Sequence, residues 1–319
     1  GREKDDGDRR GWNGSSFCIG EVRNMEIKEK IMEHTKEVED IIVKFLPAEE
    51  GYQKTVMEAM NYSFLAGGKR LRPMLMLETY RLFGGSSKAI EPFMAAIEMI
   101  HTYSLIHDDL PAMDNDDYRR GRKTTHVVYG EAMGILAGDA LLNFAFETAC
   151  KGLMLEPGNP NVAKAMQLLA QKAGIYGMLG GQVVDVESEG LPLEREKLDF
   201  IYDLKTGALI EASMLIGAVL AGADEEAQNV ILQVAGDIGL AFQIQDDILD
   251  VTSDMETLGK PIGSDEKNHK TTYVTIRGLE QAQKDVEEIS QRALDGLASL
   301  KEKNGYLDEL VAYLIHRKK

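Results

Sequence analysis

Apolar residues recur along most of the chain at intervals of three or four positions, which is the period of an amphipathic helix. In the segment 25–45 they stand at positions 27, 31, 38, 41, 42 and 45. The same period predicts further helices over Glu91–Leu110, Ile135–Leu153, Pro160–Leu179, Arg195–Leu220, Glu225–Val251, Tyr273–Leu300 and Leu307–Arg317. No credible run of alternating apolar and polar residues predicts a strand.

Short segments rich in glycine, proline and charged residues separate these helices. They lie at positions 84–85, 156–158, 190–192 and 259–263, and such residues mark turns. None of them is as long as a flexible linker between domains, and no sequence repeat is visible. The pattern therefore predicts a single all-α domain over residues 25–319.

Residues 1–24 differ from the rest because they are rich in glycine and charge and lack a sustained apolar period. The segment has no apolar signal core, and its acidic residues are not typical of an organelle transit peptide. We interpret it as a non-native tag, a mis-set start or a disordered arm, with Met25 as a plausible native beginning. An ordered arm is the alternative.

Composition limits the class of protein. Of the 319 residues 44% are hydrophobic, which is too many for a disordered chain, and the formal net charge is −17. A sequence-independent nucleic-acid binder needs a surplus of lysine and arginine instead. The two cysteines, Cys18 and Cys150, cannot build a disulfide framework. We therefore expect a cytoplasmic protein with Cys150 in its core, and no apolar run is long enough to span a membrane.

Aspartates crowd the segment 108–117 (DDLPAMDNDD), which follows the predicted apolar helix Glu91–Leu110. Their charges lie at the C-terminal end of that helix, where the helix dipole favours cations. A solvated acidic loop would explain the charge, but not its position directly after an apolar turn. A hard divalent cation bound by carboxylate oxygens would remove the conflict.

A second acidic cluster, Asp246, Asp247 and Asp250, lies within the helix predicted over 225–251. Asp246 and Asp250 are four residues apart and share a helix face, and Gln243 lies one turn before Asp246. Repulsion within such a cluster would raise its pKa values and destabilise the helix unless cations intervene. Two clusters of the same form therefore favour a metal site over chance.

The spacing of the aspartates argues against a calcium-binding loop. Counted from Asp114, such a loop would need a ligand and a glycine where Tyr118 and Arg119 stand. Magnesium usually keeps several waters and shares ligands with substrate phosphates, so it suits these sparse carboxylates better.

Basic residues accompany both acidic clusters. They occur in GGKRLRP at 67–73, in RRGR at 119–122, in KTG at 205–207, and at Lys260 and Lys270. One basic pair alone is typical of a solvated surface. Several of them beside two acidic clusters indicate a diphosphate bridged by metal, with arginine giving bidentate contacts. The Gly-rich phosphate loops of nucleotide-binding proteins do not occur in the sequence.

Together the motifs DDLPAMD (108–114), DDILD (246–250) and GGKRLRP (67–73) and the pair Arg119-Arg120 resemble those of the trans-polyprenyl diphosphate synthases. The resemblance extends from about residue 30 to residue 317, in the expected order, and is closest to the bacterial-type farnesyl diphosphate synthases. It implies an isoprenoid-synthase-type helical bundle around a central cavity, generally as a homodimer.

The resemblance also implies roles for individual residues. Asp108 and Asp114 would hold two magnesium ions and Asp246 a third, with Asp247 and Asp250 in support. Contacts to an allylic diphosphate would come from Arg119, Lys205, Thr206, Gln243 and Lys260. Contacts to isopentenyl diphosphate would come from Lys69, Arg72, His101 and Arg120, and Lys270 would close over the site. Spacing supports one of these placements, because His101 and Asp108 are seven residues apart and so share a helix face.

The expected activity is the condensation of dimethylallyl and then geranyl diphosphate with isopentenyl diphosphate, giving farnesyl diphosphate. By resemblance, Tyr103 with its neighbour Ser104 would form the floor that stops chain growth; a core aromatic without that role is the alternative. Other readings are the same reaction with a geranyl or geranylgeranyl product, a terpene cyclase, and a non-catalytic subunit. A cyclase would carry an Asn/Ser/Glu-type second motif where this chain has DDILD. Intact aspartates in both motifs count against a non-catalytic subunit.

Overall fold

The computed structural model describes residues 14–258 and 271–316, with side-chain positions for 24–252 and 271–315. Its α-helices are α1 (Gly14–Ile42), α2 (Lys54–Phe64), α3 (Leu71–Leu82), α4 (Ile90–Asp108), α5 (Thr125–Tyr129), α6 (Glu131–Leu155), α7 (Pro160–Ala173), α8 (Met178–Glu187), α9 (Arg195–Ile201), α10 (Ala208–Leu220), α11 (Glu225–Leu258), α12 (Tyr273–Arg277), α13 (Leu279–Ser299) and α14 (Gly305–His316). A 3-10 turn, Val43–Phe45, follows α1, and a π-helical segment, Tyr202–Gly207, joins α9 to α10. Within the described ranges the strands are limited to a small antiparallel hairpin of β1 (Tyr118–Arg119) and β2 (Arg122–Lys123).

Helix α4 lies at the centre of the core because its sequence is apolar on almost every side. Phe93, Met94, Ile97 and Ile100 are fully buried. Helix α6 packs along α4, and Gly152 of α6 leaves room for the Phe93 ring, since a Cβ there would lie 2.9 Å from it. The prediction of a single all-α bundle is confirmed, and none of the helices in the described ranges is long and apolar enough to cross a membrane.

Helix α10 is buried along most of its length and packs between α3 and α11. Gly217 permits the close contact with α3, because a Cβ there would lie 2.4 Å from the carbonyl oxygen of Met76. Helix α11 packs in turn against α13 and the π-helical segment. This arrangement places the second acidic cluster, on α11, beside the segment that carries Lys205 and Thr206.

Several helix boundaries differ from the prediction. The helix expected over Pro160–Leu179 ends at Ala173, and α8 begins at Met178 after a turn. The helix expected over Tyr273–Leu300 is divided at Gly278, whose φ of +81° is accessible to glycine. Helices α2 and α3 were not predicted; α3 is buried on nearly all sides and therefore lacks the polar face that the period requires.

The structure also differs from expectation at the beginning of α1 and at Cys150. Helix α1 begins at Gly14, so residues 14–24, which we had set apart from the domain, have a helical backbone. The prediction that Cys150 belongs to the core was wrong, because its side chain is exposed on α6. An apolar sequence surrounds Cys150, but α6 buries the opposite face, on which Ala145 and Ala149 lie.

Candidate active site

The first acidic cluster lies where α4 ends. Asp108 is the last residue of α4, and its carboxylate accepts a hydrogen bond of 2.8 Å from Nε2 of Gln182 on α8. The pKa of Asp108 is raised, chiefly because the side chain is buried. The charge of Lys205 reduces this shift, and the charge of Asp114 adds to it. The N–H of Asp114 also donates to the carbonyl oxygen of Asp108 at 2.8 Å. The loop after α4 thus folds Asp114 back beside Asp108.

Asp109 is buried, and its carboxylate binds a different partner from that of Asp108. Arg119 donates to its carboxylate from Nε at 3.0 Å and from Nη2 at 2.7 Å. Arg119 lies in the β1–β2 hairpin, in which it pairs with Arg122. A bidentate pair of this kind fixes the plane of the guanidinium. Asp109 was not predicted as a site residue, because nothing in DDLPAMD distinguishes an inward aspartate from an outward one.

Lys205 and Thr206 lie on the π-helical segment, a geometry that is frequent at functional sites. Glycines on two neighbouring helices allow the segment to pack closely. A Cβ at Gly181 of α8 would lie 2.4 Å from the backbone nitrogen of Lys205. A Cβ at Gly239 of α11 would lie 3.0 Å from Cα of Gly207. The two glycines therefore set the position from which Lys205 and Thr206 project.

The side chains of the π-helical segment reach both of its neighbours. Lys205 forms an ion pair with Asp185 of α8. The hydroxyl of Thr206 donates to Oε1 of Gln243 on α11 at 3.1 Å. Neither Asp185 nor Gln182 was predicted as a site residue from the sequence. In this structure the ammonium of Lys205 is held by an internal carboxylate.

The second acidic cluster is divided between a buried and two more accessible carboxylates. Asp247 is buried and accepts hydrogen bonds from the hydroxyl of Tyr202 and, at 3.0 Å, from the N–H of Tyr273. The pKa of Asp247 is raised, chiefly because the side chain is buried, and the hydrogen bonds from Tyr202 and Tyr273 reduce this shift. Asp246 is partly exposed and Asp250 is exposed. Neither tyrosine was predicted, because their sequence positions give no signal of proximity to Asp247.

A cavity of about 370 Å³ lies between the two acidic clusters. Asp114 from the first cluster and Asp247 from the second both line it, together with Lys205, Thr206 and Gln243. The two aspartate motifs, which are far apart in the sequence, therefore face one shared space in the fold.

A second, smaller pocket is lined by several basic side chains, among them His101, Arg119 and Arg120, together with the acidic Glu98 and Asp109. The guanidinium of Arg120 donates to the carbonyl oxygen of Gly67. It also lies against Gly68, where a Cβ would be 2.7 Å from Nη1. The glycine pair of GGKRLRP thus gives Arg120 its place. Of the other residues expected here, Lys69 is exposed, and neither Lys69 nor Arg72 lines this pocket.

The charges that act on His101 are positive. Burial, followed by the positive charges of Arg72 and Arg120, holds the pKa of His101 well below its usual value. Burial also lowers the pKa of Arg72, whose Nε is buried and has no hydrogen-bond partner among the residues that the structure describes. A neutral imidazole in the second pocket and an unsatisfied guanidinium nitrogen near it, outside the pocket lining, are features compatible with an anion site.

Tyr103 and Ser104 lie on α4 just before Asp108. Tyr103 is buried, and its ring packs edge-on against the ring of His107. The hydroxyl of Ser104 donates to the carbonyl oxygen of His101 at 2.7 Å, which turns it toward its own helix.

Comparison with known proteins identifies the family. A model of the family described as polyprenyl synthetase matches residues 53–312. The chain belongs to the polyprenyl synthetase family. It is 42% identical over 308 residues to the farnesyl diphosphate synthase of Geobacillus stearothermophilus, an alignment that covers 92% of this chain and 100% of that one. It is 43% identical over 295 residues to the geranylgeranyl diphosphate synthase of Cyanophora paradoxa, with 92% and 97% covered.

Solved structures of related enzymes share the fold. The apo crystal structure of an FPP/GFPP synthase from Zymomonas mobilis aligns with a TM-score of 0.80 and 32% identity. The alignment covers 91% of this chain and 99% of that one. The predicted family and the predicted isoprenoid-synthase-type fold are thereby confirmed. The roles of individual site residues stay predictions, and Lys260 and Lys270 lie outside the described residues.

The donor atoms of this polyprenyl synthetase fit magnesium. Within residues 24–252 and 271–315, no three histidine, cysteine or acidic side chains converge closely enough to hold a metal ion by themselves. The groups that the two motifs bring to the cavity are carboxylates, whose hard oxygens suit magnesium. Magnesium commonly completes its shell with water and substrate phosphate oxygens, so sparse carboxylates are sufficient.

Proposed function

We propose that this polyprenyl synthetase condenses dimethylallyl and then geranyl diphosphate with isopentenyl diphosphate and releases farnesyl diphosphate. One observation carries the proposal: Asp114 and Asp247, from two distant motifs, line the same cavity as Lys205. Relatives that are named farnesyl diphosphate synthase, from Geobacillus stearothermophilus and Escherichia coli, are each 42% identical to this chain. Such identity over most of the chain favours the same class of reaction.

The proposed metal ligands are Asp108, Asp114 and Asp246, with Asp247 and Asp250 in support. By the family resemblance, about three magnesium ions would bind together with the substrate diphosphate. When bound, magnesium neutralises the negative charge that develops on the departing diphosphate. Asp247 supports the cluster from inside the protein, because its oxygens already accept hydrogen bonds from Tyr202 and Tyr273.

Lys205, which lines the main cavity, and Arg119, which lines the second pocket, are proposed to bind the allylic diphosphate. Arg119 and Lys205 are paired with Asp109 and Asp185 here, so each is held near the cavity before a substrate arrives. Their hydrogen bonds to diphosphate oxygens would strengthen as the bond between carbon and oxygen breaks. Lys260 and Lys270 are proposed to contribute from the segment outside the described residues.

The chemical step needs no protein nucleophile. The bond between the allylic carbon and the diphosphate oxygen breaks, and both of its electrons leave with the diphosphate. The double bond of isopentenyl diphosphate then attacks the allylic carbon, and a proton lost from the adjacent carbon passes to the departing diphosphate. The enzyme's residues hold the two substrates in line and exclude water, which would otherwise capture the cation.

Isopentenyl diphosphate is proposed to bind through His101 and Arg120 of the second pocket, together with Arg72 and Lys69, which do not line it. The Nε of Arg72, which has no partner among the described residues, supports this assignment, because a buried donor without a partner is costly and an anion would satisfy it. The low pKa of His101 lets its neutral imidazole donate one hydrogen bond without adding charge.

Tyr103 is proposed to limit the product to farnesyl length. Its buried ring lies one to two turns below Asp108 on α4, where a growing chain anchored at the aspartates would arrive. The 43% identity to a geranylgeranyl diphosphate synthase keeps the longer product as the second candidate.

A second copy of the chain is proposed to cover the outer face of α6. Ile135 and Leu136 are exposed near the beginning of α6 and Leu153, Met154 and Leu155 near its end, with polar Asp139, Asn143 and Glu147 exposed between them. Exposed large apolar side chains of this kind mark an interface. Light scattering should show a dimer in the wild type and a smaller species in Leu136→Glu; a monomeric wild type would contradict the proposal.

We also propose a cytoplasmic location, where free thiols such as Cys150 persist, to be checked by cell fractionation.

The activity test incubates the purified protein with labelled isopentenyl diphosphate, an allylic diphosphate and magnesium. The proposal predicts that isopentenyl diphosphate is consumed and that chromatography of the dephosphorylated product shows farnesol. A cyclic hydrocarbon formed without isopentenyl diphosphate would favour a cyclase instead. Geranylgeraniol as the main product would leave the reaction intact and replace the proposed product, whereas no consumption of isopentenyl diphosphate would refute the reaction.

A further inference from the structure

Three elements of the site meet at Asp247. Its carboxylate accepts the hydroxyl hydrogen of Tyr202 from the π-helical segment and, at 3.0 Å, the N–H of Tyr273, which opens α12. Gln243, one turn earlier on α11, points Nε2 at the same carboxylate from 3.5 Å. Because Asp247 is only 7% exposed, these donors replace the water that an accessible carboxylate would have.

Tyr202 ties the π-helical segment to α11. It is buried, and its hydroxyl also accepts the N–H of Tyr273 at 3.3 Å. Four residues later, Thr206 joins the same two elements through Oε1 of Gln243. Both connections line the main cavity. The segment that carries Lys205 and the helix that carries the second acidic cluster are therefore fixed to one another at two points.

We propose that Tyr202 is a positioning residue for the second acidic cluster. Its hydroxyl anchors Asp247 and thereby sets the rotation of α11 about its own axis. Around an α-helix, Asp246 and Asp250 lie about 100° and 60° from Asp247, so the anchored side decides where their carboxylates point. The inference rests on the proposed function, because it concerns how the same site presents ligands to magnesium and diphosphate.

The test compares Tyr202→Phe with Tyr80→Phe. Tyr80, on α3 and outside the main cavity, is a matched control, because it is also buried and its hydroxyl also both accepts and donates. It accepts the N–H of Ser87 at 2.7 Å and donates to the carbonyl oxygen of Ser87 at 3.1 Å. Both variants lose one buried hydroxyl, so a general effect on folding shows in both.

The first measurement is independent of turnover: the affinity for magnesium with inorganic diphosphate, from the rise in the thermal unfolding midpoint. We expect Tyr202→Phe to bind this pair about tenfold more weakly than the wild type, and Tyr80→Phe to bind it equally well. The second measurement is steady-state kinetics. Tyr202→Phe should lower kcat and raise the magnesium concentration for half-activity, while the KM for isopentenyl diphosphate stays within about twofold.

Wild-type affinity for magnesium diphosphate in Tyr202→Phe would overturn the inference. Equal losses in Tyr202→Phe and Tyr80→Phe would also overturn it, because they would show a purely structural role. No binding of magnesium diphosphate by the wild type would do the same. If the wild type binds the pair but does not turn over isopentenyl diphosphate, the proposed function fails, and the binding comparison still decides the role of Tyr202.

Discussion

The rings of Tyr103 and His107 meet edge to face, with centroids 5.7 Å apart and planes at 84°. His107 is held in turn by α6, because its Nε2 lies 2.9 Å from the carbonyl oxygen of Ile135. Gly138 of α6 leaves space for the imidazole, since a Cβ there would lie 2.1 Å from Nε2. Tyr103 is therefore braced on one side by a ring that cannot move toward α6.

A braced ring makes a firm floor, so Tyr103→Ala should lengthen the product. The smaller side chain opens space below Asp108, and we expect geranylgeranyl diphosphate to replace farnesyl diphosphate as the main product. Tyr103→Phe is the control, because it keeps the ring and should keep the wild-type product. Chromatography of dephosphorylated products decides the matter; an unchanged product from Tyr103→Ala would remove Tyr103 as the residue that limits length.

Gly181→Ala should displace the π-helical segment and lower kcat. The added Cβ would lie 2.4 Å from the backbone nitrogen of Lys205, so α8 or the segment must shift. Overpacking of this kind costs about 1–3 kcal/mol of folding free energy, and we expect kcat to fall further than this loss of stability explains. Gly305→Ala, whose Cβ meets nothing within 4 Å, should keep wild-type kcat and midpoint. Wild-type kcat in Gly181→Ala would contradict the proposed tight packing.

Arg119→Lys should weaken binding of the allylic substrate. Lysine cannot reproduce the bidentate contact to buried Asp109, so the cation loses its fixed position. We expect the KM for geranyl diphosphate to rise about tenfold, with a smaller change for isopentenyl diphosphate. The matched control is Arg292→Lys, which breaks a similar bidentate pair with Asp237 on α11. Equal effects of both variants on the two KM values would show that Arg119 acts through stability alone.

The pKa of His101 should lie well below its usual range, and it should rise when an anion binds. Burial and then Arg72 and Arg120 disfavour its protonation. A bound diphosphate would offset those positive charges, so the pKa should rise. NMR titration of the six histidines, with His101→Gln to assign the signal, can follow this with and without inorganic diphosphate. A pKa that diphosphate leaves unchanged would place the anion elsewhere.

The helices with one polar face are among the parts of the fold that the sequence predicted well. Helix α7 has such a face, and it begins at Pro160 as predicted; Asn159 caps it, and proline suits the first turn. Helix α3 was missed because residues 73–80 are all buried, which leaves no alternation of polar and apolar positions. Cys150 was misplaced because the period identifies a helix without saying which face is covered.

The candidate site divides along the same line. Charge clusters at Asp108 and Asp246 were visible because the local sequence alone makes such repulsion costly. The partners of these clusters were not visible, because Tyr202 and Tyr273 reach Asp247 only after distant segments have packed. Likewise, the pairing of Arg119 with Asp109 depends on a hairpin of two-residue strands, which is too short to leave a pattern.

The most direct test of the central claim, that the two acidic clusters act on one metal–diphosphate group, is a double-mutant cycle of kcat with Asp114→Asn and Asp246→Asn. If both carboxylates serve the same group, each single variant should lose at least about 100-fold in kcat. The double variant should then lose little more than the worse single one, because the effects of residues that act as a unit do not add. Losses that multiply in the double variant would contradict the claim, because they would show two sites that work independently.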